Sequence, residues 1–195
     1  NGGFQISPSF IKEVRGPANE VLDQAHPKIA CAECESYAAP TDSTDPNASA
    51  VLTVTPPEGM TLDQLAPRTV DAKIIWMVTD MMRDVVRRGT AAAVAQLGRN
   101  DLAGKTGTTN DETDAWFNGF QKSLVGISWV GFDQPTGLGR GEVGGRAALP
   151  IWMDFMRVAL KGVPQETLPR PAGLVNINVN SATGRLAAPG DKDAF

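Results

Sequence analysis

The sequence predicts a layered α+β domain, and three observations carry that reading. Apolar residues recur at steps of three and four over 74–86, the spacing of an amphipathic helix. Two apolar runs, 115–120 and 124–132, meet near Gln121-Lys122-Ser123 and read as adjacent antiparallel strands. Pro150 then suits the first turn of a second helix through Ile151, Trp152, Phe155, Met156, Val158 and Leu160. This order fits helices laid on an antiparallel sheet without choosing its topology.

At 195 residues the chain suits one domain or a large piece of one. An apolar fraction of 42% and a charged fraction of 21% argue against disorder and against a fibrous class. Net charge is −4, and the cations are scattered apart from Arg87-Arg88, so no basic patch invites nucleic acid or an anionic membrane. The longest mainly apolar stretch is broken by Asp80, Arg83 and Asp84, short of the ~20 residues a membrane helix needs. The opening Asn1-Gly2-Gly3-Phe4 carries neither an initiator Met nor a signal-peptide pattern, and the expectation is a chain that starts inside a longer protein.

Taken in order, residues 4–14 are rich in aromatic and β-branched types, and Val21-Leu22 follows the turn-like Arg15-Gly16-Pro17-Ala18-Asn19, predicting a β-hairpin. From 27 to 68, crowded Pro, Ser, Thr, Asp and Ala with no sustained period predict a surface loop excursion. Inside it, Cys31-Ala32-Glu33-Cys34 leaves three readings open. A zinc site needs four ligands, and His26 is the only other soft candidate. A redox pair needs a strand-to-helix setting that these loop-like surroundings lack. A local disulfide forms in an oxidising compartment, and two inert thiols remain otherwise. Thr69 is the expected cap of the first helix and Gly89 its end, with a short second helix over 91–97. A Gly-rich stretch at 137–145 precedes Pro150, and Gly162 with Pro164 closes the last helix. Residues 163–195 read as a Pro-rich linker, an alternating strand at 174–179 turned at Ala182-Thr183-Gly184, and an acidic, frayed tail.

The segment that carries chemistry is Leu102-Ala103-Gly104-Lys105-Thr106-Gly107-Thr108-Thr109-Asn110. Gly104-Lys105-Thr106 suggests the end of a phosphate loop, but that motif needs glycine at position 99, where Arg99 stands, and Gly98 is one residue too far. A phosphate loop also opens a helix, whereas the residues after Lys105 look strand-like. The alternative is the Lys-Thr-Gly element of serine acyl-transferases of the penicillin-binding and β-lactamase type.

Three residues are a short motif, and a longer series extends it. Arg87-Arg88-Gly89-Thr90-Ala91, the Lys105 segment, Asp114-Ala115-Trp116-Phe117, Trp129-Val130-Gly131-Phe132-Asp133 and Ala148-Leu149-Pro150-Ile151-Trp152 follow one another as they do in class A penicillin-binding proteins. Residues 1–162 thus resemble the C-terminal half of a bifunctional enzyme's transpeptidase domain. The resemblance implies the penicillin-recognising fold, an antiparallel five-stranded sheet flanked by helices, of which this chain is only a part.

It also implies roles. Lys105 serves proton relay and electrostatics, and the Thr108 backbone N–H is one oxyanion-hole donor. Thr106, Gly107, Thr108, Thr109, Asn110 and Trp116 bind substrate, with Gly107 letting the substrate backbone approach closely. The parent would be a D,D-transpeptidase cross-linking peptidoglycan stem peptides through an acyl-serine, needing no cofactor and acylated by β-lactams. It would carry a glycosyltransferase domain and an N-terminal membrane anchor, and would work at the periplasmic face of the bacterial inner membrane.

The nucleophile is not in this chain. No Ser-x-Asn occurs, and the one Ser-x-x-Lys, Ser9-Phe10-Ile11-Lys12, sits in an extended segment that sends Ser9 and Lys12 to opposite faces. The expected partner is therefore the N-terminal half of the same protein as a separate chain. A non-catalytic peptidoglycan-binding relic is the alternative. His26 has no evident partner. Trp76, Trp116, Trp129 and Trp152 fall on apolar faces and are expected in the core, Trp116 also beside the cleft. Asp111, Glu112 and Asp114 read as solvated turn residues.

Overall fold

The computed structural model describes residues 2–38 and 51–190. Asn1, the middle of the excursion at 39–50 and the tail at 191–195 lie outside the described residues. The elements are strands β1 (Glu13–Arg15), β2 (Val21–Gln24), β3 (Glu35–Ala38) and β4 (Val51–Val54), helix α1 (Ala72–Arg88), strands β5 (Ala103–Thr108), β6 (Asp114–Gln121) and β7 (Leu124–Gly131), and helix α2 (Leu149–Ala159).

Strands β5, β6 and β7 form one antiparallel sheet in that order, because two-residue and short polar turns return each strand beside the last. Alternation along β6 sends Ala115, Phe117 and Gln121 inward and leaves Trp116 and Asn118 exposed on the opposite face. Helix α2 covers the inward face. Trp152, 1% exposed, lies edge-on to Phe117 with ring centroids 4.9 Å apart, and its Nε1 donates to the Gly126 carbonyl at 3.1 Å. Gly119 and Gly126 make this seat: a Cβ on Gly119 would stand 2.6 Å from Trp152 Cζ2, and one on Gly126 2.8 Å from its Nε1. Val86, Val94, Leu102, Leu149 and Met156 complete the core.

Helix α1 and its end at Gly89 follow the apolar period, but the cap is Asp71, whose carboxylate accepts from the Lys73 amide at 2.7 Å, and not Thr69. Thr69 instead bonds backward, its amide to the Gly3 carbonyl at 2.9 Å. The expected burial of α1 is only partly met. Val86 is its one buried residue, and Ile74, Met77, Val78 and Met81 are exposed, as are Val125, Ile127 and Trp129 of β7. Trp116 and Trp129 are therefore surface residues here, exposed on the face of the sheet away from α2, where only the Ala103 and Phe120 end lies against α1.

Other boundaries shift for similar reasons. The N-terminal hairpin pairs at β1 and β2, with one further bond from the Ala25 amide to the Lys12 carbonyl at 2.9 Å and Asn19 at φ 65° turning it, and the ladder does not extend back to Phe4. The 27–68 excursion is not featureless: β3 and β4 pair in register, and Cys31 and Cys34 are bonded as a disulfide beside them. Pairing here follows from backbone bonds between short strands, which leave no apolar period. Residues 91–97 form a 3₁₀ helix, Ala92–Leu97. The alternating segment 174–179 makes only one bridge, Val179 to Leu186, since a strand needs a neighbour for its amides and Val175 and Ile177 are exposed. Residues 163–166 are tied down instead by Arg99, which donates to the Val163 carbonyl at 2.8 Å, and by Asp101, which accepts from the Glu166 amide at 3.1 Å.

Candidate active site

Lys105, Thr106, Gly107 and Thr108 lie on β5, which among the described residues is one edge of the three-stranded sheet. Antiparallel pairs alternate between bonded and non-bonded, and the Thr109 amide bonds the Asp114 carbonyl at 3.1 Å. Counting back along the same register, Gly107 with Trp116 and Lys105 with Asn118 are the bonded pairs. The amides and carbonyls of Thr106 and Thr108 therefore point off the edge. Lys105 Nζ folds over that edge, donating to the Thr106 carbonyl at 2.9 Å and to Thr106 Oγ1 at 3.3 Å. Such an edge can take an extended peptide as an added strand, with a cation and hydroxyls at hand for a carboxylate.

The hydroxyls are held from behind. Thr106 Oγ1 shares a hydrogen bond with Thr90 Oγ1 at 2.9 Å, and Thr108 Oγ1 accepts from the Gly144 amide at 3.0 Å. A Cβ on Gly144 would overlap the carbonyl oxygens of Trp116 and Gly107, so only glycine lets residues 137–145 lie this close to β5. Gly107 is different: a Cβ there would meet only the Trp116 side chain, at 3.1 Å.

The turn after β5 contains Thr109 and Asn110, and its Asp111 and Glu112 stand at φ 59° and 53°, a left-handed pair that side-chain-bearing residues avoid. Thr109 Oγ1 accepts from the Asp114 amide at 2.8 Å. Asp114 also accepts from Trp129 Nε1 at 2.8 Å, and this bond leads the causes that hold its carboxyl below the usual range; the Thr113 and Thr109 hydroxyls add to it against a desolvation penalty. Trp129 lies 6.0 Å from Trp116, centroid to centroid, which places an aromatic pair beside Gly107. Asp114 is thus a bonded hub, and Glu112 Oε2 accepts from the Gly141 amide at 2.8 Å, so neither is simply solvated.

Other candidates stay apart. Ser9 Oγ bonds the Ile11 carbonyl at 3.2 Å, and Ser9 and Lys12 line a separate surface groove with Phe10 and Pro27. His26 is exposed. Sequence reasoning missed Thr90 and Gly144 as partners of the threonine hydroxyls; the Gly-rich composition of 137–145 was the one available signal.

A Lys-Thr-Gly strand on the free edge of an antiparallel sheet backed by a helix defines a class, the serine acyl-transferases that penicillin acylates. A family profile for the penicillin binding protein transpeptidase domain matches residues 1–151, and the chain belongs to that family. It is 39% identical to penicillin-binding protein 1A of Pseudomonas aeruginosa, across the whole of this chain and 25% of that protein. With penicillin-binding protein 1A of Neisseria gonorrhoeae it shares 48% identity over 115 residues, 59% of this chain and 14% of the relative. The crystal structure of penicillin-binding protein 1A from Haemophilus influenzae superposes with a TM-score of 0.76 at 31% identity, covering 98% of this chain and 29% of that one. The chain therefore spans about a quarter of the length of these full-sized relatives. No helix among the described residues is long and apolar enough to cross a membrane.

Proposed function

We propose that this chain supplies the Lys105 wall of a D,D-transpeptidase site in a bifunctional peptidoglycan synthase. The observation that carries the reading is the free edge at Thr106 and Thr108 with Lys105 Nζ folded over it. A stem peptide ending in D-Ala-D-Ala would lie along β5, its carboxylate met by Lys105 and the threonine hydroxyls, with Asn110 and Trp116 flanking it. A serine from the rest of the domain attacks the penultimate carbonyl. The oxyanion that forms is met by the Thr108 N–H, and the terminal D-Ala leaves as the acyl-serine forms. An amine of a neighbouring stem then takes the acyl group. The exchange is redox-neutral and asks for no metal or cofactor. β-Lactams block it by acylating the same serine.

The remainder of the transpeptidase domain is the partner we propose for the exposed apolar side, where Ile74, Met77, Val78 and Met81 of α1 sit with Val125, Ile127 and Trp129 of β7. Among the described residues β7 pairs with β6 alone, which leaves an edge for further strands toward the five-stranded sheet. The parent would also polymerise glycan and work at the periplasmic face of the inner membrane.

The test is labelling of the full-length protein with a tagged penicillin, followed by peptide mapping. The expected label sits on a serine outside these 195 residues and is lost in Lys105→Ala. No label would support a non-catalytic relic of the fold, and a label on Ser9 would overturn the assignment of the nucleophile.

A further inference from the structure

We propose that Glu112 is a positioning residue for this reaction: it clamps residues 137–145 onto the end of β5 and through them fixes the Thr108 hydroxyl. Two bonds hold the clamp. The Glu112 carbonyl accepts from the Leu138 amide at 2.9 Å, and Glu112 Oε2 accepts from the Gly141 amide at 2.8 Å. Three residues further on, the Gly144 amide donates to Thr108 Oγ1. The side chain of Glu112 reaches Gly141 from a backbone at φ 53°, beside Asp111 at φ 59°. Two consecutive left-handed residues without glycine persist only where their surroundings hold them, and such strain gathers at functional sites.

The chemical consequence lies at Thr108. With one lone pair of Oγ1 engaged by Gly144, the hydroxyl proton remains free to donate, on the residue whose N–H points off the edge. Release of the Gly141 bond loosens residues 141–144 and lets that hydroxyl turn. Glu112 acts through the carboxylate as an acceptor, so an amide oxygen at the same reach substitutes for it.

This inference rests on the transpeptidase reading. The experiment measures the second-order rate of acylation of the full-length protein by a tagged penicillin, with thermal midpoints alongside. Glu112→Ala is expected to slow acylation about tenfold and Glu112→Gln to restore it to within about twofold, since an amide oxygen still accepts from Gly141. Glu112→Asp keeps the charge and tolerates the left-handed backbone but falls short by a methylene; it is expected to slow acylation as Ala does, and it serves if the Ala variant does not fold. On a Thr108→Val background, loss of Glu112 is expected to cost less than twofold more, the coupling that a merely structural role would not produce. Normal rates in the Ala and Asp variants, or a full tenfold loss on the Thr108→Val background, would overturn the inference alone. A wild-type protein that takes no label overturns the transpeptidase reading and this inference with it.

Discussion

Replacing Asp101 by alanine should free the Glu166 end of the 163–166 segment from the domain. The Asp101 side chain is fully buried, and its carboxylate accepts from Arg99 Nε at 2.9 Å, Arg99 Nη2 at 2.7 Å, Gln121 Nε2 at 3.2 Å and the Glu166 amide at 3.1 Å. Removing one partner of a buried pair strands the other, at a cost of about 3 kcal/mol. Arg99 keeps its bonds to the Val163 and Pro164 carbonyls, which holds the loss to the low end of that class. Against a typical stability of roughly 5–15 kcal/mol, such a loss is large. Burial alone would raise the Asp101 pKa, but the bonds from Arg99, the Glu166 amide and Gln121 outweigh it and the net shift is downward. A lowered folded-state pKa gives stability that is complete above the unfolded value of about 3.9 and fades as pH falls through the folded one. Hydrogen exchange at the Glu166 amide and unfolding midpoints from pH 7 to pH 2 are the assays. Asp101→Ala is expected to lose protection at the Glu166 amide, and Asp101→Asn to lose part of the acid-side slope. Unchanged protection with a stability loss below about 0.5 kcal/mol would refute the reasoning, since that is the size of an ordinary surface substitution.

Three further outcomes are expected. Trp152→Ala should cost about 4 kcal/mol by thermal unfolding, because the ring fills the seat over Gly119 and Gly126 and its Nε1 bond to Gly126 is lost. Trp129 emission should titrate with a midpoint below the usual aspartate value of about 3.9, following Asp114, and Asp114→Asn should abolish that transition. Reduction of the Cys31–Cys34 disulfide should lower stability by no more than about 2 kcal/mol, since it closes a short loop; a larger drop would mean that the bond organises the whole 27–68 excursion.

Much of the fold was legible because it is local. The period over 74–86 placed α1, Pro150 placed α2, and two apolar runs meeting near Gln121-Lys122-Ser123 placed β6 and β7. The cap at Asp71 was missed because Thr69 is also a capping residue, and the Thr69 amide instead bonds the Gly3 carbonyl. The hairpin of β3 and β4 was missed because four-residue strands held by backbone bonds carry no side-chain period. The tryptophans went astray for the opposite reason. Their apolar faces are real, but Trp116 and Trp129 lie beyond the part of that face that α1 covers and are exposed among the described residues.

The sequence by itself determined the type of each long element, the family resemblance and the placing of Lys105, Thr106, Gly107 and Thr108 on one strand, because these follow from periods and motifs within a few residues. Only the tertiary structure decided that this strand is an edge among the described residues, that Thr106 leans on Thr90, that Gly144 bonds Thr108 and that Glu112 bonds Gly141. Those contacts join residues 16 to 36 positions apart, and a hydrogen bond across such a distance depends on where the intervening chain packs, which no local pattern records.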